Sequence, residues 1–171
     1  MKRLTTVLVS AAGLALAACG ERPADGPPAV RLGHDVCAEC NMIISDARWA
    51  TATVVPGPRG PEARLFDDFN CQVNFENEHA DAEIIARWSH DHASGEWVKT
   101  EEAHFLFSPH LRTPMGSNAS AFSARSGAED ALAALEAQHP PTQDSAQAGE
   151  IVDFAAAWNL LGSADPDSPD R

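Results

Sequence analysis

Basic residues are scarce in this chain of 171 residues, which has 12 Lys and Arg against 25 Asp and Glu and a formal net charge of −13 at pH 7. Nucleic acids and anionic membrane surfaces bind proteins through clusters of Lys and Arg. A chain this acidic suits neither, so we expect no nucleic-acid partner. It would attract cations or a protein with a basic surface, although solubility alone would explain the same composition.

Long hydrophobic runs are also missing. The first 18 residues combine a positive start, MKR, with the short apolar run LTTVLVSAAGLALAA. This run is too short for a bilayer anchor, which needs about 20 residues. Followed by small residues, it is typical of an export signal, so we predict that residues 1–18 are a signal peptide. Losing Lys2 and Arg3 would leave 10 basic residues against 25 acidic ones, a net charge of −15.

The residues that end the signal, LAAC before Gly20, resemble the bacterial lipobox. The resemblance implies cleavage before Cys19 and acylation of that cysteine, which anchors the chain because each buried methylene contributes about 0.8 kcal/mol. Glycine after the cysteine, in place of aspartate, implies the periplasmic side of the outer membrane more than the inner one. The alternative is an ordinary signal peptide that leaves Cys19 as a free thiol. Residues 19–33, rich in proline and small residues, predict a flexible lipidated stalk.

Cysteine itself is scarce. Once Cys19 is acylated, only Cys37, Cys40 and Cys71 remain. Exported proteins in oxidising compartments normally pair their cysteines, and three cysteines cannot all pair within one chain. At least one thiol is therefore kept for a purpose or is held by a bound ligand.

Residues 34–113 show the pattern of a small mixed unit. RWATATVV and ARLFDD are predicted strands, joined by the turn PGPRGPE, which is rich in proline and glycine. FNCQVNFENE is a predicted helix, and AEIIARWSHD and WVKTEEAHFLFS are predicted to supply two or three further strands. In the predicted helix, Phe69 and Val73 share one face, and Cys71 and Phe75 share another.

Residues 114–158 look like a shorter echo of this unit. PMGSNASAFS is extended, SGAEDALAALEA is a helix in which Ser126 and Glu129 have the spacing of a capping box, and EIVDFAAAW is a short strand or a helical turn. Met42 and Met115 open what look like corresponding segments. The sequence therefore suggests an internal duplication.

The predicted fold class is α+β, with two small related ββαβ units whose antiparallel sheets are each covered by a helix. Residues 159–171 have the composition of a disordered tail.

The stretch HDVCAECNMIISD, residues 34–46, is the candidate site. A structural zinc site needs a second pair of ligands beside a C-x-x-C motif, and only Cys71 and the histidines His90 and His92 are available. A thioredoxin-like redox pair sits at a helix start after a strand, whereas a proline-rich segment precedes CAEC and Glu39 would oppose thiolate formation. A plain disulfide between the two cysteines of CAEC is a third alternative.

Met42 favours copper. Cys40 and Met42 are two residues apart, so an extended segment points both side chains to one side. A thiolate and a thioether are soft ligands that suit Cu(I). With two or three ligands sufficient for Cu(I), Cys37 is the nearest further donor and His34 stands behind it. Nothing resembles a nucleophile–base pair, so we do not expect an enzyme.

Several motifs together resemble the NosL family, the accessory lipoproteins of bacterial nitrous-oxide reductase maturation. They are the lipobox, CNM, LFDDFNC, WVKTEEAHFLFS and SPHLRTPMGSNASAF before an alanine-rich helix. The resemblance runs from Cys19 to about Trp158. It implies two related ββαβ units and a periplasmic chaperone that delivers Cu(I) for the copper–sulfide centre of nitrous-oxide reductase, to the reductase itself or to its copper-site assembly proteins.

By position, Cys40 and Met42 match the family's copper-binding pair. Cys71 matches a cysteine often found at the start of the first helix, and its role stays unassigned. The copper role of Cys37 rests on proximity alone. Met115 matches a second-half P-M motif, for which packing is favoured over a secondary sulfur ligand. Two alternatives to the chaperone are a thiol–disulfide redox lipoprotein using the C-x-x-C motif and a scaffold lipoprotein that binds no metal.

Overall fold

The structure, a computed structural model, describes residues 23–140 and 149–162. The predicted signal peptide, residues 1–18, and the predicted lipidation site Cys19 lie outside the described residues. Within residues 23–140 and 149–162, no helix is long and apolar enough to cross a membrane. In chain order the elements are β1 (Thr51–Gly57), β2 (Gly60–Phe66), α1 (Phe69–Glu78), β3 (Ala86–His90), β4 (Trp97–Lys99), β5 (His104–Phe107), β6 (Ala119–Phe122), α2 (Arg125–Gln138), β7 (Glu150–Asp153) and α3 (Phe154–Gly162).

These elements form two antiparallel sheets with the strand orders β2-β1-β3-β4 and β6-β5-β7. In the first sheet β1 and β2 form a hairpin, α1 follows, and β3 returns beside β1, so that Thr51 opposes both Phe66 and Ser89. The second sheet repeats this path, with the hairpin β5–β6, then α2, then β7 beside β5. The α+β class is confirmed, and a ββαβ path occurs twice, with β4 and α3 as additions.

The second unit begins earlier in the chain than the sequence predicts. β5 pairs with β6 and β7, so the sheets divide between Lys99 and His104 and not after residue 113. Successive side chains of β5 point to opposite faces. Phe105 clusters with residues of α1 and α3, and Leu106 clusters with residues of α2 and with Trp49, which precedes β1. Consequently Met115 lies in the loop between β5 and β6, whereas Met42 precedes β1, and the predicted correspondence of the two methionines is wrong.

Helix α1 separates the two units, and its two faces are those predicted. Phe69 and Val73 pack against the second sheet, where the rings of Phe69 and Phe105 stack with centroids 4.4 Å apart. Cys71 and Phe75 lie in a different cluster, together with Phe66 at the end of β2. The helix therefore turns its cysteine away from the second unit and towards the segment that carries the C-x-x-C motif.

Two predicted ends need correction. Helix α2 has Ala124 as its N-cap with no side-chain hydrogen bond, so Ser126 lies inside the first turn and the capping box is wrong; Glu129 instead pairs with Arg125 at 3.1 Å. Helix α3 continues to Gly162, so residues 159–162 of the predicted disordered tail are helical because Leu161 packs against the core. The rest of that tail lies outside the described residues.

The predicted stalk is not free along its whole length. The backbone oxygen of Asp25 accepts hydrogen bonds from Trp88 Nε1 at 3.2 Å and from Lys99 Nζ at 3.1 Å. Further along, Val30 packs against the cluster that contains Cys37. Residues 23–33 are therefore docked on the first unit, and only residues 19–22 of the stalk lie outside the described part.

Candidate metal centre

Residues 32–44 form a narrow antiparallel hairpin that ends in the C-x-x-C motif. Backbone N–H groups of Gly33, Ile44 and Cys37 donate to the carbonyl oxygens of Ile44, Asp35 and Met42 at 2.8, 2.9 and 2.8 Å. The turn closes at Asn41, whose φ of 61° is left-handed. Asparagine adopts this conformation more readily than most residues, so the local sequence suits the turn. The hairpin is tied to β2 by a bond from the Ala38 N–H to the Leu65 oxygen at 2.8 Å.

The hairpin has an inner and an outer face. Val36 and Ile43 are paired across it as an isolated antiparallel bridge. Because side chains alternate along a strand, the residues that follow them, Cys37 and Ile44, point the other way, and both are buried. The thiol of Cys37 therefore belongs to the protein interior, while Val36 and Ile43 face outward.

Three sulfur atoms meet beneath the hairpin. Cys37 and Cys40 come from its tip, Cys71 comes from the first turn of α1, and their Sγ atoms all lie within 4.8 Å of one another. All three are free thiols. Cys37 and Cys71 are buried and Cys40 is half-buried. In the described part of the chain, no other group of three His, Cys, Asp or Glu side chains converges in this way.

Hydrogen bonding makes the three thiols unequal. Cys71 donates to the sulfur of Cys37, as do backbone N–H groups at Cys40, Asp67 and Glu39, and these bonds lower the pKa of Cys37 to about 5 against the effect of burial. The same bond keeps the proton on Cys71 and raises its pKa. Burial raises the pKa of Cys40. The cluster is thus built around one thiolate at Cys37, with two thiols that a soft cation would have to deprotonate.

A buried carboxyl group adjoins the cluster. Asp67 is 2% exposed, and its Oδ1 atom has no hydrogen-bond partner in the structure. Burial and the charge of Cys37 raise the pKa of Asp67. Asp67 is therefore a buried acidic neighbour of Cys37 whose charged form is disfavoured.

The other predicted donors are placed differently. Met42 opposes Cys37 across the hairpin and is 53% exposed, so it stands at the solvent side of the thiols. His34 is exposed and is not one of the three converging ligands. Met115 is held by its backbone, with its N–H donating to Asp68 at 2.9 Å and its oxygen accepting from Asn70 at 2.9 Å.

His90 and His92, the candidate zinc ligands, do not converge with the cysteines. His90 is bonded to the Ala50 oxygen at 3.0 Å and its ring lies 3.6 Å from that of Trp97. His92 is bonded to Ser120 at 3.2 Å and contacts the ring of Trp49. Burial lowers the pKa of both imidazoles. Both rings are thus engaged in packing and hydrogen bonding.

Cys71 is the member of the site whose role the sequence left unassigned. The helix face that carries Cys71 was correctly predicted. The segment that covers this face was not predicted, because the hydrogen bond that holds the hairpin on β2 is a long-range backbone contact. The fold and the cluster together define the class: a two-unit α+β protein with a three-thiol group that could hold a metal ion.

Comparison with solved structures shows a likeness of fold. The fold is similar to that in the crystal structure of the copper chaperone NosL from Shewanella denitrificans, with a TM-score of 0.57 and 16% sequence identity over 78% of this chain and 96% of that chain. At this identity the likeness shows a shared fold. No family model matches the sequence, and no curated protein matches it.

Proposed function

We propose that this protein is a Cu(I) chaperone that holds the ion between Cys37, Cys40 and Cys71, with Met42 as a further sulfur donor at the opening. The observation that carries the proposal is the convergence of three free thiols within 4.8 Å. The neighbour of the same fold is a copper chaperone. Both observations favour a binding protein over an enzyme.

The donor set suits a soft ion with few ligands. Thiolate and thioether sulfur select Cu(I), whereas structural zinc is almost always bound by four ligands in a tetrahedron. The group that converges here contains three sulfurs and, within the described residues, no His, Asp or Glu. Three thiolates would complete a trigonal Cu(I) site and leave a zinc ion one ligand short.

The same geometry favours release. Cys37 and Cys71 are buried, Cys40 is half-buried and Met42 is exposed, so the ion would be approached from the Cys40 and Met42 side. A ligand from an acceptor could bind there before the chaperone's own sulfurs leave, and the copper would never be free. His34, exposed on the same hairpin, is at most an outer donor.

The destination follows from the resemblance of the motifs. We infer that the cargo serves the copper–sulfide centre of nitrous-oxide reductase, through the reductase or its copper-site assembly proteins. The chain would work on the periplasmic side, anchored by acylated Cys19 and more at the outer than the inner membrane. The redox lipoprotein and the metal-free scaffold are the alternatives that the following experiment separates from this proposal.

The test is an anaerobic titration of the reduced protein with Cu(I) in competition with a chelator of moderate affinity. We expect one ion per chain to be retained. Cys40→Ser and Cys71→Ser should each weaken retention by about 100-fold, because each removes one of three soft ligands. Melting curves of the metal-free variants serve as the control for folding. Loss of all copper from the wild-type protein to the chelator would exclude the chaperone and favour the scaffold.

A further inference from the structure

Exposed large apolar side chains are concentrated beside the thiols. Within the described residues six such side chains are exposed, and four of them, Leu32, Val36, Met42 and Ile43, belong to the hairpin of residues 32–44. We call these four the hairpin face. Single exposed apolar residues are ordinary, but contiguous ones mark interaction sites. This grouping therefore indicates an interaction site.

The hairpin places exposed apolar side chains on both of its faces. Val36 and Ile43 are a directly opposed pair without hydrogen bonds between them, the arrangement that brings side chains closest. They are 49% and 55% exposed. Met42 follows at the next pair, opposite Cys37, so it lies on the other face of the hairpin, where it is 53% exposed. Exposed apolar side chains thus lie on both faces of the hairpin that carries the thiols, and Met42 stands on the side from which the copper would be approached.

Acidic groups stand at the tip of the hairpin. Glu39 lies between the two cysteines and close to Glu78 at the end of α1. In the described part of the chain, neither glutamate forms an ion pair with Lys or Arg. The hairpin face therefore has an acidic margin without a Lys or Arg partner, on a chain whose net charge is −13.

We propose that the hairpin face is the docking surface for the copper acceptor, a protein that presents an apolar patch bordered by Lys and Arg. The inference rests on the proposed function and deepens it. Charge complementarity selects this occupant, because a second copy of the chain would bring acidic margin against acidic margin. An anionic membrane would be repelled in the same way. Docking here would bring an acceptor's ligands next to Cys40 and Met42.

The experiment measures binding of the full chain, loaded anaerobically with Cu(I), to purified apo-nitrous-oxide reductase and to each of its copper-site assembly proteins. The double variant Val36→Ser/Ile43→Ser is compared with Leu160→Ser, which changes an exposed apolar residue outside the hairpin face. We expect the double variant to lose at least about tenfold in affinity for one of these proteins, as removal of central apolar contacts does. Leu160→Ser should bind like the wild type, and both variants should retain Cu(I) against the chelator.

The charge component has its own readout. Raising the salt concentration from about 50 to about 300 mM should slow association several-fold, because exposed charges are screened over a shorter distance. Glu78→Gln should reduce the salt dependence without changing copper retention. An association rate that is indifferent to salt would overturn the basic margin assigned to the partner.

The remaining outcomes also decide. Equal binding by the double variant and the wild type, or no binding by the wild type up to about 100 µM, would overturn the docking surface. The docking surface would also be overturned if the wild type formed a dimer in sedimentation, or bound vesicles of equal parts phosphatidylcholine and phosphatidylglycerol, and the double variant abolished that association. Copper retention separates the two proposals: retention without docking sinks only this inference, whereas loss of copper by the wild type sinks the proposed function.

Discussion

The two ββαβ units follow the same path but differ in what precedes their first strand. Before β1 comes the hairpin with two cysteines, and α1 of the same unit supplies the third. Before β5 there is only a short turn, Thr100–Glu102, and no cysteine occurs after Cys71. One fold plan thus appears once with a cluster of soft ligands and once without it.

The second unit nevertheless takes part in the site by holding α1. Asp68, the N-cap of α1, accepts bonds from the N–H groups of Met115 and Ser117 and from the Ser117 hydroxyl. A second carboxylate, Asp91 at the end of β3, accepts from the Ser123 N–H at 2.6 Å. Carboxylates of the first unit are therefore satisfied by donors of the second, and the first turn of α1, which carries Cys71, is fixed at this junction.

The largest expected effects on stability come from replacing one core phenylalanine in each unit. Phe66 lies in the cluster with Cys37 and Cys71, and Phe105 lies between the second sheet and α1. Phe66→Ala and Phe105→Ala should each lower the free energy of unfolding by about 4 kcal/mol in urea denaturation. Phe66→Ala should weaken Cu(I) retention more than Phe105→Ala does, measured where both variants are folded, because Phe66 shares a cluster with two of the thiols whereas Phe105 acts on the site only through α1. Equal copper loss in the two variants would show that the units are not separable in function.

Removing the junction carboxylate should come next in size. Asp68→Asn leaves buried donors of Phe69 and Ser117 with a poorer acceptor, and we expect a loss of about 2 kcal/mol in the free energy of unfolding. Asp130→Asn, at an exposed position of α2, is the matched control and should cost almost nothing. Copper retention should fall with Asp68→Asn, since Cys71 begins the same helix. Full retention despite the lost stability would mean that α1 is positioned by its packing alone.

Acid should weaken the junction through Asp91. Hydrogen bonds from Ser123 and Ser94 lower the pKa of Asp91 to about 2 in spite of its burial, below the value of about 3.9 in an unfolded chain. A depressed pKa contributes stability that is complete above the unfolded value and is lost as the pH falls through about 2. Denaturation curves between pH 6 and pH 2, as rough limits, should therefore fall less steeply for Asp91→Asn. Parallel curves for the variant and the wild type would refute this role.

Local patterns in the sequence foretell much of this architecture. Helix α1 has the predicted bounds, because the Asp68 cap and the two faces of FNCQVNFENE are local features. The sequence does not predict the boundary between the units, because β5 resembles one more strand of the first sheet until its pairing with β6 and β7 is known. The metal centre divides in the same way. Cys37 and Cys40 are recognisable as neighbours, whereas the approach of Cys71 depends on the docking of the hairpin on β2.

The smallest effect, and the sharpest contrast between the units, is expected from the two methionines. Met42 opposes Cys37 and is exposed beside the thiols, whereas Met115 is anchored by its backbone to Asp68 and Asn70. Met42→Leu keeps the size and apolar character of the side chain but removes the thioether. It should weaken Cu(I) retention about fivefold, near 1 kcal/mol, while Met115→Leu should leave retention unchanged in the same chelator competition. Equal retention by the two variants and the wild type would remove Met42 from the copper site and leave the ion to the three thiols.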